Sequence, residues 1–192
     1  MNELDARLPT RGFVRGSLVE WLVPGVGCGA GTLALAAARE ACRAGPPLVV
    51  VDRSGRFYPP AAVALGIDLT RVLIVRPRRP DDEAWACDQA LRTRGIGAVL
   101  AWPERADSRW LRRWQLAVEQ SGVIGLFVRP NRVRGEPCFS AVRLQVQPLA
   151  GQGCRRVRLE IVRGRPGSGD TMVEVELEHA AHLGSERRTA ES

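Results

Sequence analysis

The sequence predicts an α/β fold: a mostly parallel β-sheet flanked by helices, with a C-terminal antiparallel β extension. Three observations lead there. Strand-like and helix-like runs alternate from residue 17 to 128, the pattern of parallel strands joined by crossover helices. Two of these runs, Leu48-Val49-Val50-Val51 and Val123-Ile124-Gly125-Leu126-Phe127-Val128, are nearly all apolar, as strands covered on both faces are. Beyond Pro130 the texture changes to alternation. Val142-Arg143-Leu144-Gln145-Val146 places an apolar residue at every second position, which predicts one buried and one wet face.

Taken in order, residues 1–15 read as a short leader with one helical turn near Glu3–Leu8. A strand is expected over 17–23, then an alanine-rich helix over 31–43. Strands at 47–52, 71–76, 97–102 and 123–128 alternate with helices at 59–65, 81–94 and 107–121. The C-terminal strands are expected over 140–146, 155–162 and 172–177, separated by Gly/Pro-rich turns at 148–153 and 166–170. From Ala180 the chain reads as a polar, disordered tail. The expected organisation is a leader (1–15), an α/β core (16–138), an antiparallel extension of the same domain (139–179) and a tail (180–192).

A chain of 192 residues with 45% apolar content can bury a proper core. It has no apolar run long enough to span a membrane, and its acidic start lacks a signal-peptide pattern, so a cytoplasmic location and no membrane contact are expected. Five cysteines are scattered and never form C-x-x-C, which favours reduced thiols over a zinc site. His179 and His182 fall where the fold ends and read as tail residues, so neither a metal site nor a nucleophilic triad is expected. The net charge of +7 fits two accounts, an acidic partner or the Arg-rich codon bias of a GC-rich genome.

The loop Pro24-Gly25-Val26-Gly27-Cys28-Gly29-Ala30-Gly31-Thr32 joins the first strand to the first helix. That is the position of a Walker A phosphate loop, G-x-x-x-x-G-K-[ST], whose lysine neutralises phosphate and whose hydroxyl holds magnesium. Here Pro24 stands in the first glycine slot, Ala30 in the lysine slot and Gly31 in the Ser/Thr slot. The chain contains no lysine; all 28 basic residues are arginine. Two readings remain for Gly25, Gly27, Gly29 and Gly31: backbone N–H groups offered to an anion at a helix N-terminus, or inherited turn geometry.

The order of these pieces resembles the core of the RecA recombinase family over residues 16–130. Gly16-Ser17-Leu18-Val19-Glu20 resembles the strand leading to its loop, and Val49-Val50-Val51-Asp52 its second strand. In that spacing the family's catalytic glutamate falls on Ser54, and the Walker B aspartate on Trp102 or Pro103. Asp52 then reads as a turn or capping residue. The helix Ser108-Arg109-Trp110-Leu111-Arg112-Arg113-Trp114-Gln115-Leu116-Ala117-Val118-Glu119, followed by a glycine-bearing strand ending in Arg129-Pro130, is similar to the ImuA family. These are RecA-like accessory factors of damage-induced (SOS) translesion DNA synthesis. The resemblance implies a non-enzyme without a cofactor. It also implies an ImuB-like Y-family polymerase homologue and an error-prone DNA polymerase as partners, with RecA as a further one. A SulA-like division inhibitor and an ATPase with an unconventional site are the competing readings.

Contacts to DNA or to a partner are sought in two basic places. Arg76, Arg78 and Arg79 follow a strand's carboxyl end, where open α/β sheets bind ligands, and Arg53 and Arg56 lie on the same rim. Arg109, Arg112 and Arg113 flank Trp110 and Trp114, a composition found at interface hot spots and stacking platforms. For both places a solvated face is the alternative, and for the tryptophans packing on the sheet.

Overall fold

A computed structural model describes residues 11–150, 155–163 and 172–177, with Leu4, Ala6 and Leu8. Glu3, Cys154, the turn at 166–170, His179, His182 and the 180–192 tail lie outside the described residues.

The elements are β1 (Leu18–Val23), α1 (Ala30–Cys42), β2 (Leu48–Val51), α2 (Pro59–Ala64), β3 (Val72–Val75), α3 (Pro80–Arg92), β4 (Ala98–Ala101), α4 (Ser108–Ser121), β5 (Ile124–Pro130), β6 (Val142–Leu149), β7 (Arg155–Arg163) and β8 (Met172–Leu177). The helix ends follow local chemistry. In α3, Pro80 opens the helix where its missing N–H is not needed, and Asp81, Asp82 and Glu83 oppose the positive end of the helix dipole. In α4, the Asp107 carboxylate accepts the Trp110 N–H at 3.0 Å, and Gly122 ends the helix in the left-handed region. No helix among the described residues is long and apolar enough to cross a membrane.

All eight strands form one sheet in the order β3-β2-β4-β5-β1-β6-β7-β8. The pairs from β3 to β6 are parallel; β6–β7 and β7–β8 are antiparallel. The extension is therefore antiparallel within itself, while its first strand joins β1 in parallel. β1 lies inside the sheet, and all six of its residues are buried.

Each face of the sheet carries a core. On one, Val19, Trp21, Leu48 and Val50 pack with α1, α2 and the apolar sides of β6–β8; Leu4 and Leu8 of the leader are buried there too. On the other, Val49, Val51, Val99 and Phe127 pack beneath Cys87 and Leu91 of α3 and Leu111, Trp114 and Val118 of α4. Glu20 alternates with Leu18 onto this second face, and it is fully buried. Its carboxylate accepts hydrogen bonds from Arg129 on β5 at 2.9 Å and from Arg143 on β6 at 2.8 Å. Burial opposes its charge, yet the two guanidiniums hold its carboxyl below the usual range.

One expectation is corrected here. The alternating polar residues of β6 do not face water: Arg143 and Gln145 are buried. Arg143 is held by Glu20 and by the carbonyls of Arg134 and Glu136, and Gln145 accepts from Arg134. Paired polar groups let a strand of mixed composition sit inside a sheet.

Candidate functional site

The glycine-rich loop at 24–31 runs from the end of β1 into α1. Pro24, Gly25 and Gly27 are exposed, and Gly29 and Ala30 are buried. Gly29, with φ +93°, caps the helix in a left-handed conformation that a side chain disfavours. A Cβ at this position would also lie 2.4 Å from Leu177 Cδ1 of β8 and 3.0 Å from Val157 Cγ1 of β7. The C-terminal strands thus press on the loop, and packing accounts for this glycine. Gly31 differs: it lies in the first turn of α1, and a Cβ there would meet nothing within 4 Å.

A cavity of about 340 Å³ opens over the loop. Gly31, Thr32, Arg56, Phe57, Trp102 and Arg155 are among its walls. Trp102, in the Walker B position, is almost wholly buried against the core. The RecA resemblance would place a metal-binding carboxylate at this indole, and Pro103 beside it is buried as well. Ser54 is exposed on the turn after β2. Asp52 is buried, and its two carboxylate oxygens accept the backbone N–H groups of Arg56 at 2.8 Å and Phe57 at 3.1 Å. Its oxygens are spent on closing that turn.

The basic rim is smaller than the sequence predicts. Arg53 donates to Glu83 at 3.0 Å, and Arg56 pairs with Glu104. Both are partly buried, so neither is a free cation. Arg76, Arg78 and Arg79 are exposed, and none has a carboxylate partner among the described residues. Arg105, after β4, is also exposed and adds to this rim.

The helix α4 divides in the same way. Arg109 is 93% exposed and only loosely paired with Asp107, at 3.4 Å. Arg112 lies over the Phe139 ring and bonds Gln115. Arg113, expected as a free contact, instead donates two hydrogen bonds of 2.8 Å to Asp88, a carboxylate with no exposure that also binds Arg92. Trp114, also expected as a contact, is fully buried against Phe127, with ring centroids 4.9 Å apart. Its place on the inward stripe with Leu111 and Val118 explains this.

Two features were not anticipated. Trp85 is 60% exposed on α3, off the inward stripe of Ala84, Cys87, Asp88 and Leu91. Its position off that 3–4 spacing was the available signal. The second is a cavity of about 310 Å³ between the start of α3 and the segment leading into α4. Arg79, Glu83, Arg105, Trp110 and Trp114 line it. Glu83 is buried, and burial raises its pKa despite the bond from Arg53. Among the described residues its Oε1 has no donor and the Trp114 Nε1–H no acceptor.

No family model matches the chain. Protein ImuA from two strains of Caulobacter vibrioides is in each case 31% identical to it, over 73% of this chain. The match spans 65% of the length of those relatives. Over the matched region the chain is therefore ImuA-like, at 31% identity.

Proposed function

We propose that this protein acts by binding rather than by catalysis, as an accessory factor of damage-induced translesion DNA synthesis. The observation that carries the non-catalytic part is the filled nucleotide position. Ala30 and Gly31 stand where a phosphate loop has lysine and hydroxyl, and Trp102 stands where a metal-binding carboxylate belongs. Phosphoryl transfer depends on preorganised charge at these positions, and losing it costs orders of magnitude in rate. The translesion setting is carried over from the ImuA resemblance. Its partners on this reading are an ImuB-like Y-family polymerase homologue and an error-prone polymerase, with RecA as a further one.

The partner surface we favour is the outer side of α3 and α4, two packed helices that expose Trp85 on the one and Arg109 and Arg112 on the other. Exposed tryptophan beside arginine is the composition of binding hot spots. The experiment is a two-part binding assay. Calorimetry should find no micromolar Mg-ATP affinity, and pull-down of a purified ImuB-like polymerase should weaken at least tenfold in a Trp85→Ala, Arg109→Ala, Arg112→Ala variant. Nucleotide turnover above a buffer blank or micromolar Mg-ATP affinity would reject the non-catalytic half; unchanged pull-down by the variant, or no capture by the wild type, would reject the partner half.

A further inference from the structure

The parallel strands β3, β2, β4 and β5 all end at one edge of the sheet, and arginine follows each of them. These arginines fall into two sets. Arg53 and Arg56, after β2, are tied to Glu83 and Glu104. Arg76, Arg78 and Arg79 after β3, Arg105 after β4 and Arg132 after β5 are all exposed. None of these five meets a carboxylate among the described residues.

Two cavities join the second set into a row. The one between the start of α3 and the segment into α4 has Arg79 and Arg105 in its wall. Another, of about 330 Å³, has Arg105 and Arg132 in its wall. Arg105 therefore stands between them. From β3 to β5 the row crosses three strand spacings, roughly 14 Å. The carboxylates of these walls do not cancel it. Glu83 and Glu104 are held as above, Asp107 caps α4, and Glu136 lies 3.5 Å from Arg129. Asp81 is left, in the first turn of α3, where it opposes the helix dipole.

The surroundings select the occupant. A protein partner draws its affinity from buried aromatic and apolar anchors. Here the Trp110 ring is already covered, by the Arg113 guanidinium 5.3 Å from its centre and by the Trp114 ring. The exposed hydrophobic residues Trp85 and Leu73 lie off both walls. What the row offers is charge, and a polyphosphate needs little else. A duplex is stiff and meets recessed arginines only at their margins. A single strand bends into such a groove and follows it.

We propose that single-stranded DNA runs its backbone along this carboxyl edge, with phosphates on Arg79, Arg105 and Arg132 and with Arg76 and Arg78 extending the path at the β3 end. The guanidinium fork matches phosphate oxygens, and no base is read. The inference goes beyond the accessory reading and does not depend on it: the protein has its own hold on an exposed template strand.

The test is fluorescence anisotropy of the whole protein with a labelled mixed-sequence single strand, titrated at several salt concentrations. Binding should be sequence-tolerant and should weaken steeply with salt. The Arg79→Ala, Arg105→Ala, Arg132→Ala variant should bind at least tenfold more weakly at low salt. Its log–log salt slope should be shallower by about 2, the share of three phosphate contacts on a single strand. Its melting temperature should stay near wild type, since exposed charges contribute little stability. A control, Arg43→Ala, Arg94→Ala, Arg156→Ala, removes the same charge from exposed sites before β2, before β4 and on β7. It should keep most of the affinity. Flat anisotropy at low salt, unchanged binding by the first variant, or an equal loss in the control overturns the proposal. So does a duplex that binds as tightly as the single strand, or a poly-glutamate peptide of equal charge that displaces the strand as readily as unlabelled DNA does; the latter result would make the edge a dock for an acidic protein. The polymerase pull-down is read separately and stands or falls on its own.

Discussion

Asp88 has no exposed side-chain surface and is held by Arg92, one turn along α3, and by Arg113, across on α4. Burial alone would raise its pKa, but the bonds from the two arginines hold it below the usual range. Glu20 behaves likewise between Arg143 and Arg129. A carboxyl with a depressed folded-state pKa favours folding above its unfolded value, and that contribution is lost as pH falls through the folded value. Thermal melts should therefore show stability falling in the acid range below about pH 4. Glu83 has the opposite sign, since its raised pKa favours the folded state only while it is protonated. A melting temperature that stayed constant down to about pH 3 would contradict the burial of these ion pairs. The same geometry separates neighbouring arginines. Arg113→Ala should lower the melting temperature clearly, because it strips a bidentate partner from buried Asp88. Arg109→Ala should leave it unchanged, because its charge is solvated. Removing Arg109, Arg112 and Arg113 together would confuse a fold defect with a binding defect.

At the scale of single elements, the turn into α1 offers a direct contrast. Gly29→Ala should destabilise by more than about 1–2 kcal/mol, from the left-handed backbone alone, with the contacts to Leu177 and Val157 adding to it. Gly31→Ala should be neutral or stabilising by up to about 1 kcal/mol, since alanine is the better helix former and has room. Denaturant melts of the two variants test this; equal effects would mean that β7 and β8 do not press on the loop. Element positions were largely legible beforehand. The expected helix over 107–121 is observed at Ser108–Ser121 and the expected strand over 172–177 at Met172–Leu177, because periodicity is a local signal. Which strand neighbours which is not local. Arg143 of β6 reads as part of a wet face because nothing near it in sequence reveals Glu20, 123 residues away, as its partner. The site divides similarly. The missing lysine and hydroxyl could be read from the loop, whereas the cavity at Glu83 depends on α3 and α4 meeting in space.

For the whole molecule, the main consequence is that β6–β8 are not detachable. β6 completes the hydrogen bonding of β1, and Leu144, Val146, Val157, Leu159 and Val175 belong to the principal core. A chain cut near residue 138 loses this pairing. Such a truncated chain should lose its cooperative melt: it bares an edge of β1, leaves Glu20 with one arginine, and exposes apolar surface to aggregation. Circular dichroism melts and size exclusion check this, and a sharp transition with a monodisperse peak would show that the first five strands suffice. Partner mapping therefore calls for point variants on the outer helices.

The buried link from Glu20 to Arg129 and Arg143 also sets a timetable. β1 is made before every other strand of this sheet, yet both of its neighbours, β5 and β6, are made only after the whole of α4. During synthesis β1 has two open edges and a carboxylate with no cation, while β2, β3 and β4 can already pair among themselves. Contacts spanning 109 and 123 residues close only once the C-terminal third has emerged, and such long-range closure is slow and exposes the chain to misassembly. A nascent chain stalled before β6 would keep that edge and that carboxylate unpaired and would be a substrate for chaperones.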